Sequence, residues 1–364
     1  MKIIVTAGGT GGHIYPALAI INKFKEKDKN LDVIYIGTHN RMEKDIIPEN
    51  NIKYVPLEIY GLSKKDMIRN IKNIFLINKA YKKCKKIITE FKPDVVIGVG
   101  GYVTYPVIRA AHAMNVKVFI HEQNSIPGKS NKMLEKYSDL IGVSFESSEK
   151  YFKDQSKVFL SGNPCGERGL KMAPYDKSLL GLSRDKKLIV IVAGSLGSQT
   201  INSKMKEFLI NGHHSSYEIV YITGKNYYED FISSVKFPKN VKVLPYFDNL
   251  ISLMKSCDLV ITRAGAGILS EITTLDLPSI LIPSPYVANN HQYYNALDLV
   301  NKSCAVMLEE KELTTEKLEM KINYVLNDSE IYDKMKKSIK SLNTQNSSEL
   351  IYNKIKDMIK NEHE

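Results

Sequence analysis

Two stretches of the sequence, Lys2–Gly12 (KIIVTAGGTGG) and Lys187–Ser198 (KLIVIVAGSLGS), decide the fold. Each begins with an apolar run of the length of one buried strand, continues through a glycine-rich turn and then enters a helix-length segment. A strand that leads through a tight turn into a helix is the first half of a βαβ unit, in which successive strands lie parallel. The sequence therefore predicts two α/β halves that begin in the same way.

Short apolar runs alternate with helix-length segments along the chain, which is typical of parallel sheets with helices on both faces. The predicted strands are Lys2–Ala7, Val33–Gly37, Val95–Val99 and Lys117–His121 in the first half, and Leu188–Ala193, Glu218–Thr223, Val241–Leu244, Leu259–Thr262 and Ser279–Pro283 in the second. The predicted helices include Pro16–Lys27, Met67–Phe91 and Ser347–Lys360.

The two halves are interpreted as Rossmann-like domains of residues 1–161 and 162–340, joined near Ser161–Pro174, where Gly and Pro cluster. A single large sheet is the alternative, but chains of 364 residues usually divide into two domains. The last helix, within residues 341–364, could pack back on the first domain.

The composition is that of a globular protein, with 43% hydrophobic and 25% charged residues. No apolar run approaches the roughly 20 residues that a membrane-spanning helix needs. The cysteines are scattered without a CxxC pair, which favours reduced thiols in a cytoplasmic protein over a zinc site or a disulfide framework. They are Cys84, Cys165, Cys257 and Cys304.

The formal net charge of +11 is concentrated in one region, since residues 64–92 carry ten Lys or Arg against two acids. Apolar residues lie among them at helical spacing: Ile68, Ile71 and Phe75, with Ile74 and Ile77 on the flank. A basic amphipathic stretch over 67–86 fits an anionic membrane surface. The alternative is a solvated helix whose apolar stripe is core. No nucleic-acid-binding motif accompanies the charge, so nucleic acid is not an expected partner.

The two glycine loops, Gly8–Gly12 and Gly194–Ser198, would suit a phosphate, because small residues let backbone N–H groups approach it at a helix N-terminus. Neither loop reads GxGxxG, and the second strand ends in Gly37-Thr38 rather than in an acid, which argues against NAD. No GxxxxGK[ST] follows either strand, which argues against a P-loop NTPase. A tight turn without a ligand is the alternative for each loop.

In the second half, Arg263–Glu271 (RAGAGILSE) follows a predicted strand and would lie at the carboxyl edge of the sheet, where ligands bind in this architecture. Arg263 could meet a leaving diphosphate there. Glu271, about one turn into the next helix, could accept hydrogen bonds from two ribose hydroxyls, or it could simply face solvent. The following Pro285–Ala296 (PYVANNHQYYNA) is rich in amide and imidazole groups that recognise sugar hydroxyls.

In the first half, polar residues also end neighbouring strands: His121, Glu122 and Asn124 on one, Gly100-Gly101-Tyr102 on another, and His13 after the first glycine loop. The carboxyl ends of parallel strands meet at one edge, so these groups are expected to converge. Their grouping favours a functional site over the structural role that a lone histidine usually has. No two aspartates are two positions apart, so the Asp-x-Asp of metal-dependent nucleotide-sugar enzymes is missing and no metal is expected.

Six motifs occur in order: GGTGGHIYP (Gly8–Pro16), GVGGYV (Gly98–Val103), HEQNSIPGKSNKML (His121–Leu134), GNP (Gly162–Pro164), RAGAGILSE (Arg263–Glu271) and HQYYNA (His291–Ala296). Together they resemble the MurG family of bacterial lipid II synthases, the UDP-N-acetylglucosamine–N-acetylmuramyl-(pentapeptide) pyrophosphoryl-undecaprenol N-acetylglucosamine transferases. The resemblance runs from the first strand to about Ala296, and HEQN with its tail is its most specific part.

The resemblance implies a glycosyltransferase fold of the B type, with two Rossmann-like domains facing across a cleft. It implies inverting, metal-independent transfer of GlcNAc from UDP-GlcNAc, without a cofactor, to the C4 hydroxyl of the muramyl sugar in lipid I. The product would be lipid II for peptidoglycan synthesis, made by a peripheral protein at the cytoplasmic face of the cell membrane.

The resemblance also implies roles for single residues. Thr10, Gly11, Gly12 and Asn124 would line the donor sugar and diphosphate, Ser195 would contact the diphosphate, and the Phe247 backbone would hold uracil. The segment that would frame the nucleotide, with Glu271 on the ribose, is Ala266, Gly267, Ile268, Leu269, Ser270 and Glu271. Gln292 would reach the GlcNAc hydroxyls; the other candidate contacts are Tyr102, Arg168, Arg263 and His291.

Three positions depart from the family pattern. Gly166 stands where the family often has an arginine, for which Arg168 is the candidate substitute. Ile268 stands where a threonine is common, and His291 where a glutamine is. These departures affect contacts to the diphosphate and the sugar rather than the class of donor.

The expected mechanism is direct attack of the acceptor hydroxyl on the anomeric carbon while UDP leaves, and an imidazole suits the base that must take the proton. His13 is the candidate base, with Glu122 or His121 as orienting or alternative groups. An undecaprenyl acceptor stays in the bilayer, which favours the membrane interpretation of 67–86. The rival functions are a UDP-sugar transferase acting on diacylglycerol, a UDP-GlcNAc epimerase and a non-catalytic sugar-nucleotide-binding subunit.

Overall fold

A computed structural model describes residues 1–61, 67–194, 197–212, 216–233, 235–342 and 344–360. The chain divides into two compact units, one of Met1–Cys165 with Asn346–Glu364 and one of Gly166–Gln345. The chain therefore passes from one unit to the other twice, near 165 and again near 345.

The first unit is built on a parallel sheet. Its strands are β1 (Lys2–Thr6), β2 (Asp32–Thr38), β3 (Lys53–Leu57), β4 (Val95–Gly98), β5 (Lys117–Glu122), β6 (Leu140–Val143) and β7 (Val158–Leu160). The α-helices that precede the end of β7 in the chain are α1 (Gly11–Lys27), α2 (Glu43–Glu49), α3 (Met67–Phe91), α4 (Thr104–His112) and α5 (Lys129–Leu134). The strand order is β3-β2-β1-β4-β5-β6-β7, and the pairings among these strands are parallel.

The second unit repeats this plan with fewer strands. Its strands are β8 (Lys187–Val192), β9 (Tyr217–Ile222), β10 (Val241–Leu244), β11 (Leu259–Thr262), β12 (Ser279–Leu281) and β13 (Val306–Met307). Its helices are α6 (Gln199–Asn211), α7 (Tyr228–Ile232), α8 (Leu250–Met254), α9 (Ala266–Thr274), α10 (His291–Asn301), α11 (Thr315–Leu326) and α12 (Ser329–Ser341). The order is β10-β9-β8-β11-β12-β13, again with parallel pairings.

The last helix, α13 (Ser347–Lys360), belongs to the first unit. Its Ile351 and Ile355 are fully buried in the core on the side of the sheet that α1 covers. The Glu349 carboxylate lies 2.7 Å from the Lys27 Nζ and 3.3 Å from the Lys23 Nζ, both on α1. Apolar packing and ion pairs therefore join the two ends of the described chain within one unit.

The prediction of two parallel α/β domains is confirmed. The predicted strands are present, whereas β3, β6, β7 and β13, which have five residues or fewer, were not predicted. Helix α1 begins at Gly11 rather than at Pro16, with Thr10 extended at φ −143° as its N-cap. Glycine is a weak helix former and proline favours a first turn, so sequence patterns place the start too late. Gly11, Gly12 and His13 thus form the first turn of the helix and not a loop.

Both sheets reverse their strand order at the first strand, between β1 and β4 and between β8 and β11. In open parallel sheets, ligands bind outside the carboxyl ends of the strands at such a switch point. Each glycine loop lies there, because the first follows β1 and the second follows β8.

Candidate active site

The first glycine loop leaves β1 in a conformation that only glycine adopts easily. Gly9 has a φ of +96°, and Gly101, after β4, has a φ of +91°. A Cβ on Gly101 would lie 2.5 Å from the carbonyl oxygen of Gly8, so a side chain there would separate the two loops. The Gly8 amide donates to the Gly100 carbonyl at 3.2 Å. The loops after β1 and β4 are therefore packed backbone to backbone.

His13 lies half-buried in the first turn of α1, against the loop after β4. Its Nδ1 is 3.0 Å from the Gly8 carbonyl oxygen, and a Cβ on Gly100 would lie 2.7 Å from its Cδ2. A carbonyl oxygen can only accept, so Nδ1 carries the proton and Nε2 is the nitrogen that can take one up. The backbone thus selects the tautomer that a base needs at Nε2.

Thr10 and Gly12 are exposed and Gly11 is half-buried, at the N-terminus of the same helix. The first amide groups of a helix have no partner within it, and the helix dipole adds positive potential there. These residues therefore lie where an anion binds well, and their contacts with a sugar and a diphosphate stay a prediction.

His121 differs from the expectation that it faces a substrate. It is fully buried, with Nε2 2.9 Å from the Gly162 carbonyl oxygen and Nδ1 2.9 Å from the Gln123 Nε2. Burial lowers the pKa of His121 to about 4, although the hydrogen bond to Gly162 opposes the shift. The structure therefore shows His121 as a buried, hydrogen-bonded group that favours its neutral form, and its role as an orienting or alternative group stays a prediction.

Glu122 is also buried, since only 2% of the residue is exposed, and its carboxylate is fully hydrogen-bonded within the protein. Its carboxylate accepts hydrogen bonds from the amides of Asn124 at 2.9 Å and Gly128 at 3.0 Å, and from the Asn131 Nδ2 at 2.8 Å. These bonds hold the turn from β5 into α5, which places Asn124 half-buried at the edge of the sheet. Glu122 therefore shapes this turn, which fits an orienting group, and its predicted part in the reaction stays a prediction. Tyr102, after β4, is half-buried.

The second glycine loop lies between β8 and α6. Gly194 and Gly197 have φ values of +105° and +77°, and the N-cap Ser198 accepts from the Ile201 amide at 3.4 Å. Ser195, predicted to contact the diphosphate, lies outside the described residues.

Arg263 is buried and already bonded within the protein, so its expected contact with a diphosphate stays a prediction. It donates to the Ser198 hydroxyl at 3.0 Å and to the Ile282 carbonyl at 3.3 Å, and it forms an ion pair with Glu310. Arg263 is 8% exposed and Glu310 is 5% exposed. The pair thus ties the start of α6 to the ends of β11 and β12. Glu310 was not predicted because its partner is distant in sequence.

The α9 segment divides into exposed and buried positions. Gly267 and Ile268 are half-buried in its first turn, whereas Ala266 and Leu269 belong to the core, so Leu269 can frame a nucleotide only through its backbone. The Ser270 hydroxyl accepts from the Gly166 amide at 2.7 Å. A Cβ on Gly166 would lie 2.3 Å from the Ser270 carbonyl oxygen, so the glycine permits this close approach.

That approach brings Arg168 to Glu271. The Arg168 Nη2 lies 2.6 Å from the Glu271 Oε1. The Glu271 side chain is 8% exposed and the Arg168 side chain 52%. Burial raises the pKa of the Glu271 carboxyl, and the Arg168 guanidinium opposes that shift. The two residues predicted to hold ribose and diphosphate are therefore in contact.

The remaining candidates of the second unit lie on separate turns. The Gln292 Oε1 accepts from the Ser284 amide at 2.9 Å, and the His291 Nδ1 is 2.9 Å from the Ala288 carbonyl oxygen. Both are half-buried at the start of α10. Phe247 packs edge-on against Tyr175, with ring centroids 5.0 Å apart.

Comparison with known proteins assigns the chain to a family. The sequence profile of the Glycosyltransferase family 28 N-terminal domain matches residues 3–143, and that of the Glycosyltransferase family 28 C-terminal domain matches residues 188–353. A relative from Halalkalibacterium halodurans is 41% identical over an alignment of 371 positions that covers 99% of this chain and all of the relative. The chain belongs to glycosyltransferase family 28.

That family 28 relative is named UDP-N-acetylglucosamine--N-acetylmuramyl-(pentapeptide) pyrophosphoryl-undecaprenol N-acetylglucosamine transferase. The crystal structure of Acinetobacter baumannii MurG is similar with a TM-score of 0.77 and 25% identity, over 98% of this chain and 99% of that one. These findings confirm the predicted glycosyltransferase fold of the B type. A putative UDP-N-acetylglucosamine 2-epimerase from Listeria monocytogenes has a TM-score of 0.72 at 14% identity, over 98% and 96% of the chains, and shares the fold alone.

In this family 28 chain, α3 buries one face and exposes another. Leu76, Ala80, Cys84 and Ile88 are buried at intervals of four, whereas Ile71, Ile74 and Phe75 are 68%, 57% and 71% exposed. The apolar stripe predicted around Ile71 and Phe75 is therefore not core. Ile68 lies among the positions whose side chains are not described. Among the helices of the described ranges, none is long and apolar enough to cross a bilayer.

Proposed function

We propose that this chain transfers GlcNAc from UDP-GlcNAc to the C4 hydroxyl of MurNAc in lipid I, the undecaprenyl-pyrophosphoryl-MurNAc-pentapeptide, and so makes lipid II. The observation that carries the chemistry is the His13 imidazole, whose Nδ1 is fixed on the Gly8 carbonyl oxygen at 3.0 Å in the first turn of α1. The relative that supports this choice of donor and acceptor is 41% identical over 99% of this chain.

In the proposed reaction the acceptor oxygen attacks the anomeric carbon of GlcNAc from the face opposite UDP. The new C–O bond forms as the bond to the UDP oxygen breaks, so the configuration at that carbon inverts. The hydroxyl proton passes to the Nε2 of His13, and the electron pair of the broken bond leaves on UDP. Backbone amides at helix N-termini stabilise the charge on the diphosphate without a metal ion.

The donor belongs to the second unit in this proposal. Glu271 accepts hydrogen bonds from the two ribose hydroxyls, while Arg168 and the loop containing Ser195 contact the diphosphate. The backbone at Phe247 holds uracil, and Gln292 meets the hydroxyls of GlcNAc. Support comes from the position of α9 and the second glycine loop at one sheet edge, and from the Arg168–Glu271 contact of 2.6 Å.

The first unit, in the same proposal, holds the acceptor at the edge formed by the loops after β1, β4 and β5. Thr10, Gly11, Gly12 and Asn124 lie at that edge, where the start of α1 offers amide groups, and they are the candidate contacts for the donor sugar and diphosphate in this unit. Tyr102 lies beside this acceptor position. The enzyme would work at the cytoplasmic face of the cell membrane, where an undecaprenyl chain holds the acceptor.

An assay with UDP-GlcNAc, with and without a lipid I analogue, tests this function. The expected result is one UDP released for each disaccharide formed, and no turnover without the acceptor. Conversion of UDP-GlcNAc alone would indicate an epimerase, and transfer to diacylglycerol but not to lipid I would indicate the other transferase. Binding of UDP-GlcNAc with no product under any condition would indicate a non-catalytic subunit.

Replacing His13 tests the proposed base. His13→Ala should lower kcat by about 100-fold or more, as expected for the loss of a general base, and should leave UDP affinity within about twofold because the ring does not hold the nucleotide. Steady-state kinetics and calorimetric titration with UDP measure the two quantities. Near-normal turnover of the variant would contradict the assignment.

A further inference from the structure

Glu43, the first residue of α2, is a buried carboxylate beside the first glycine loop. It is 0% exposed. Its Oε1 accepts from the Thr38 amide at 3.0 Å and from the Thr38 hydroxyl, and its Oε2 accepts from the Gly9 amide at 3.2 Å. Burying a charge costs free energy unless hydrogen bonds satisfy it, so these donors are what permit the ionised group here.

The surrounding backbone leaves room for this carboxylate. A Cβ on Gly8 would lie 2.6 Å from the Glu43 Oε1, and a Cβ on Gly37 would lie 2.8 Å from the Glu43 Cγ. Side chains at these two positions would displace the Glu43 side chain. The glycines around Glu43 thus provide the space in which its carboxylate reaches the loop.

The contact with Gly9 leads to His13 through a single peptide group. The amide of Gly9 and the carbonyl of Gly8 belong to the same trans peptide, in which the N–H and C=O bonds point in opposite directions. Glu43 accepts from one end of that group, and the Nδ1 of His13 donates to the other end at 3.0 Å. A negative charge at the N–H end polarises the peptide and makes its carbonyl oxygen a stronger acceptor.

We propose that Glu43 is a positioning residue for the transfer reaction, which holds and polarises the Gly8–Gly9 peptide so that His13 keeps its proton on Nδ1 and presents Nε2 to the acceptor hydroxyl. The chain of contacts runs from the Glu43 carboxylate through one peptide to the imidazole. This role rests on the proposed function, in which His13 is the base. Glu43 itself touches no substrate.

A double-mutant cycle between Glu43→Gln and His13→Gln tests the proposal in the full-length enzyme. Glu43→Gln preserves the shape of the side chain but removes its charge, and it should lower kcat about 10-fold while the KM for UDP-GlcNAc changes by less than about twofold. In the His13→Gln background the same substitution should change kcat by less than about twofold, because the group it acts through is gone. An equal loss of kcat in both backgrounds would show a structural role alone and overturn the proposal.

A control substitution in the same cluster distinguishes a specific effect of Glu43 from a general disturbance of the structure. Tyr54→Phe removes the hydroxyl that donates to the Thr38 carbonyl in the same buried cluster, and it should leave kcat unchanged. Near-normal turnover of His13→Gln would contradict His13 as the base and, with it, the role of Glu43, without contradicting the transfer reaction itself.

The tautomer can be read without any substitution, from the ring ¹⁵N shifts of His13 in the wild-type enzyme. A proton on Nδ1 is expected. A proton mainly on Nε2 would overturn the proposal even if Glu43→Gln failed to fold.

Discussion

At Glu271, the predicted ribose-binding residue, burial and the neighbouring charge of Arg168 shift the carboxyl pKa in opposite directions. Burial raises the pKa of the Glu271 carboxyl, and the Arg168 guanidinium at 2.6 Å opposes that shift. An ionised carboxylate accepts two hydroxyl hydrogen bonds, whereas a protonated one loses part of that capacity. Donor binding should therefore depend on the protonation of Glu271.

The first prediction concerns this pH dependence. The KM for UDP-GlcNAc should rise by about 10- to 100-fold as the pH falls through the pKa of Glu271, since hydrogen bonds to a charged group contribute about 1.5–3 kcal/mol. In Arg168→Ala the pKa of Glu271 rises further, because burial is no longer opposed, so the rise in KM should begin at a higher pH. Steady-state kinetics across the pH range measure this onset.

Arg168→Lys is the matched control, because it retains a positive charge at the same position. Its rise in KM should begin closer to the wild-type pH than that of Arg168→Ala. Identical pH profiles for Arg168→Ala and the wild type would contradict the coupling between the two residues.

The sequence revealed the position of a candidate residue when local motifs determine it, and it did not reveal contacts with residues that are distant in the chain. The positions of His13, Asn124 and Glu271 at strand ends or helix starts follow from motif order and sheet direction. The burial of His121 against Gly162, of Arg263 against Glu310 and of Glu43 against Gly9 depends on contacts across 41, 47 and 34 positions. No local pattern marks such pairs, so the sequence did not reveal that His121 and Arg263 are buried, and Glu43 and Glu310 were missed.

At the scale of elements, helix α3 has an exposed apolar face. Ile71, Ile74 and Phe75 are exposed on a helix that also carries lysines at 72, 79, 82, 83, 85 and 86. Apolar side chains surrounded by lysines suit the boundary between headgroups and acyl chains of an anionic bilayer. We propose that this face holds the enzyme on the membrane that contains its acceptor.

The second prediction is that replacing Ile71 and Phe75 by Ser weakens vesicle binding. Binding to phosphatidylglycerol vesicles should fall about tenfold or more, since burial of each side chain contributes about 1.5–3 kcal/mol when complete. Sedimentation at low and high salt measures it, and the wild type should bind less at high salt. Thr89→Ser, exposed on the same helix, should bind as the wild type does. Equal binding of the wild type to neutral and anionic vesicles would contradict the proposal.

The third prediction concerns α13, which closes the core of the first unit. Ile355→Ala should lower the free energy of unfolding by about 2–5 kcal/mol, because the side chain is fully buried and leaves a cavity. Urea denaturation measures the change. Asn353→Ala, at an exposed position two residues before Ile355, should change it by less than about 0.5 kcal/mol. Similar small effects of both substitutions would show that α13 does not stabilise the unit.

Elements were predictable where the apolar pattern is long, but the start of one helix, α1, was misplaced. The bounds of α3 and α13 match the predicted helices Met67–Phe91 and Ser347–Lys360. The start of α1 was misplaced because Gly11 and Gly12 have low helix propensity, yet their backbone continues the helix that Thr10 caps. The exposed face of α3 could not be told from a core stripe by periodicity, since both repeat every 3.6 residues.

The whole molecule repeats one architecture twice and, in our proposal, uses the copies differently. Each unit has a parallel sheet whose order reverses beside its first strand, and each places a glycine loop at that point. In the first unit the adjoining helix carries an imidazole with a fixed tautomer. In the second the equivalent edge carries an arginine–carboxylate pair. This division assigns the base and the acceptor to one unit and the nucleotide to the other.

The most direct test of the central claim is the linkage made from UDP-GlcNAc and a lipid I analogue in a buffer containing a chelator. Proton NMR of the purified product determines the configuration at the new anomeric carbon and the oxygen that carries it. The account predicts a β-linked GlcNAc on the C4 oxygen of MurNAc, formed at an undiminished rate in the chelator. An α linkage, attachment to another hydroxyl, or formation of free GlcNAc or an epimerised UDP-sugar in place of the disaccharide would contradict it.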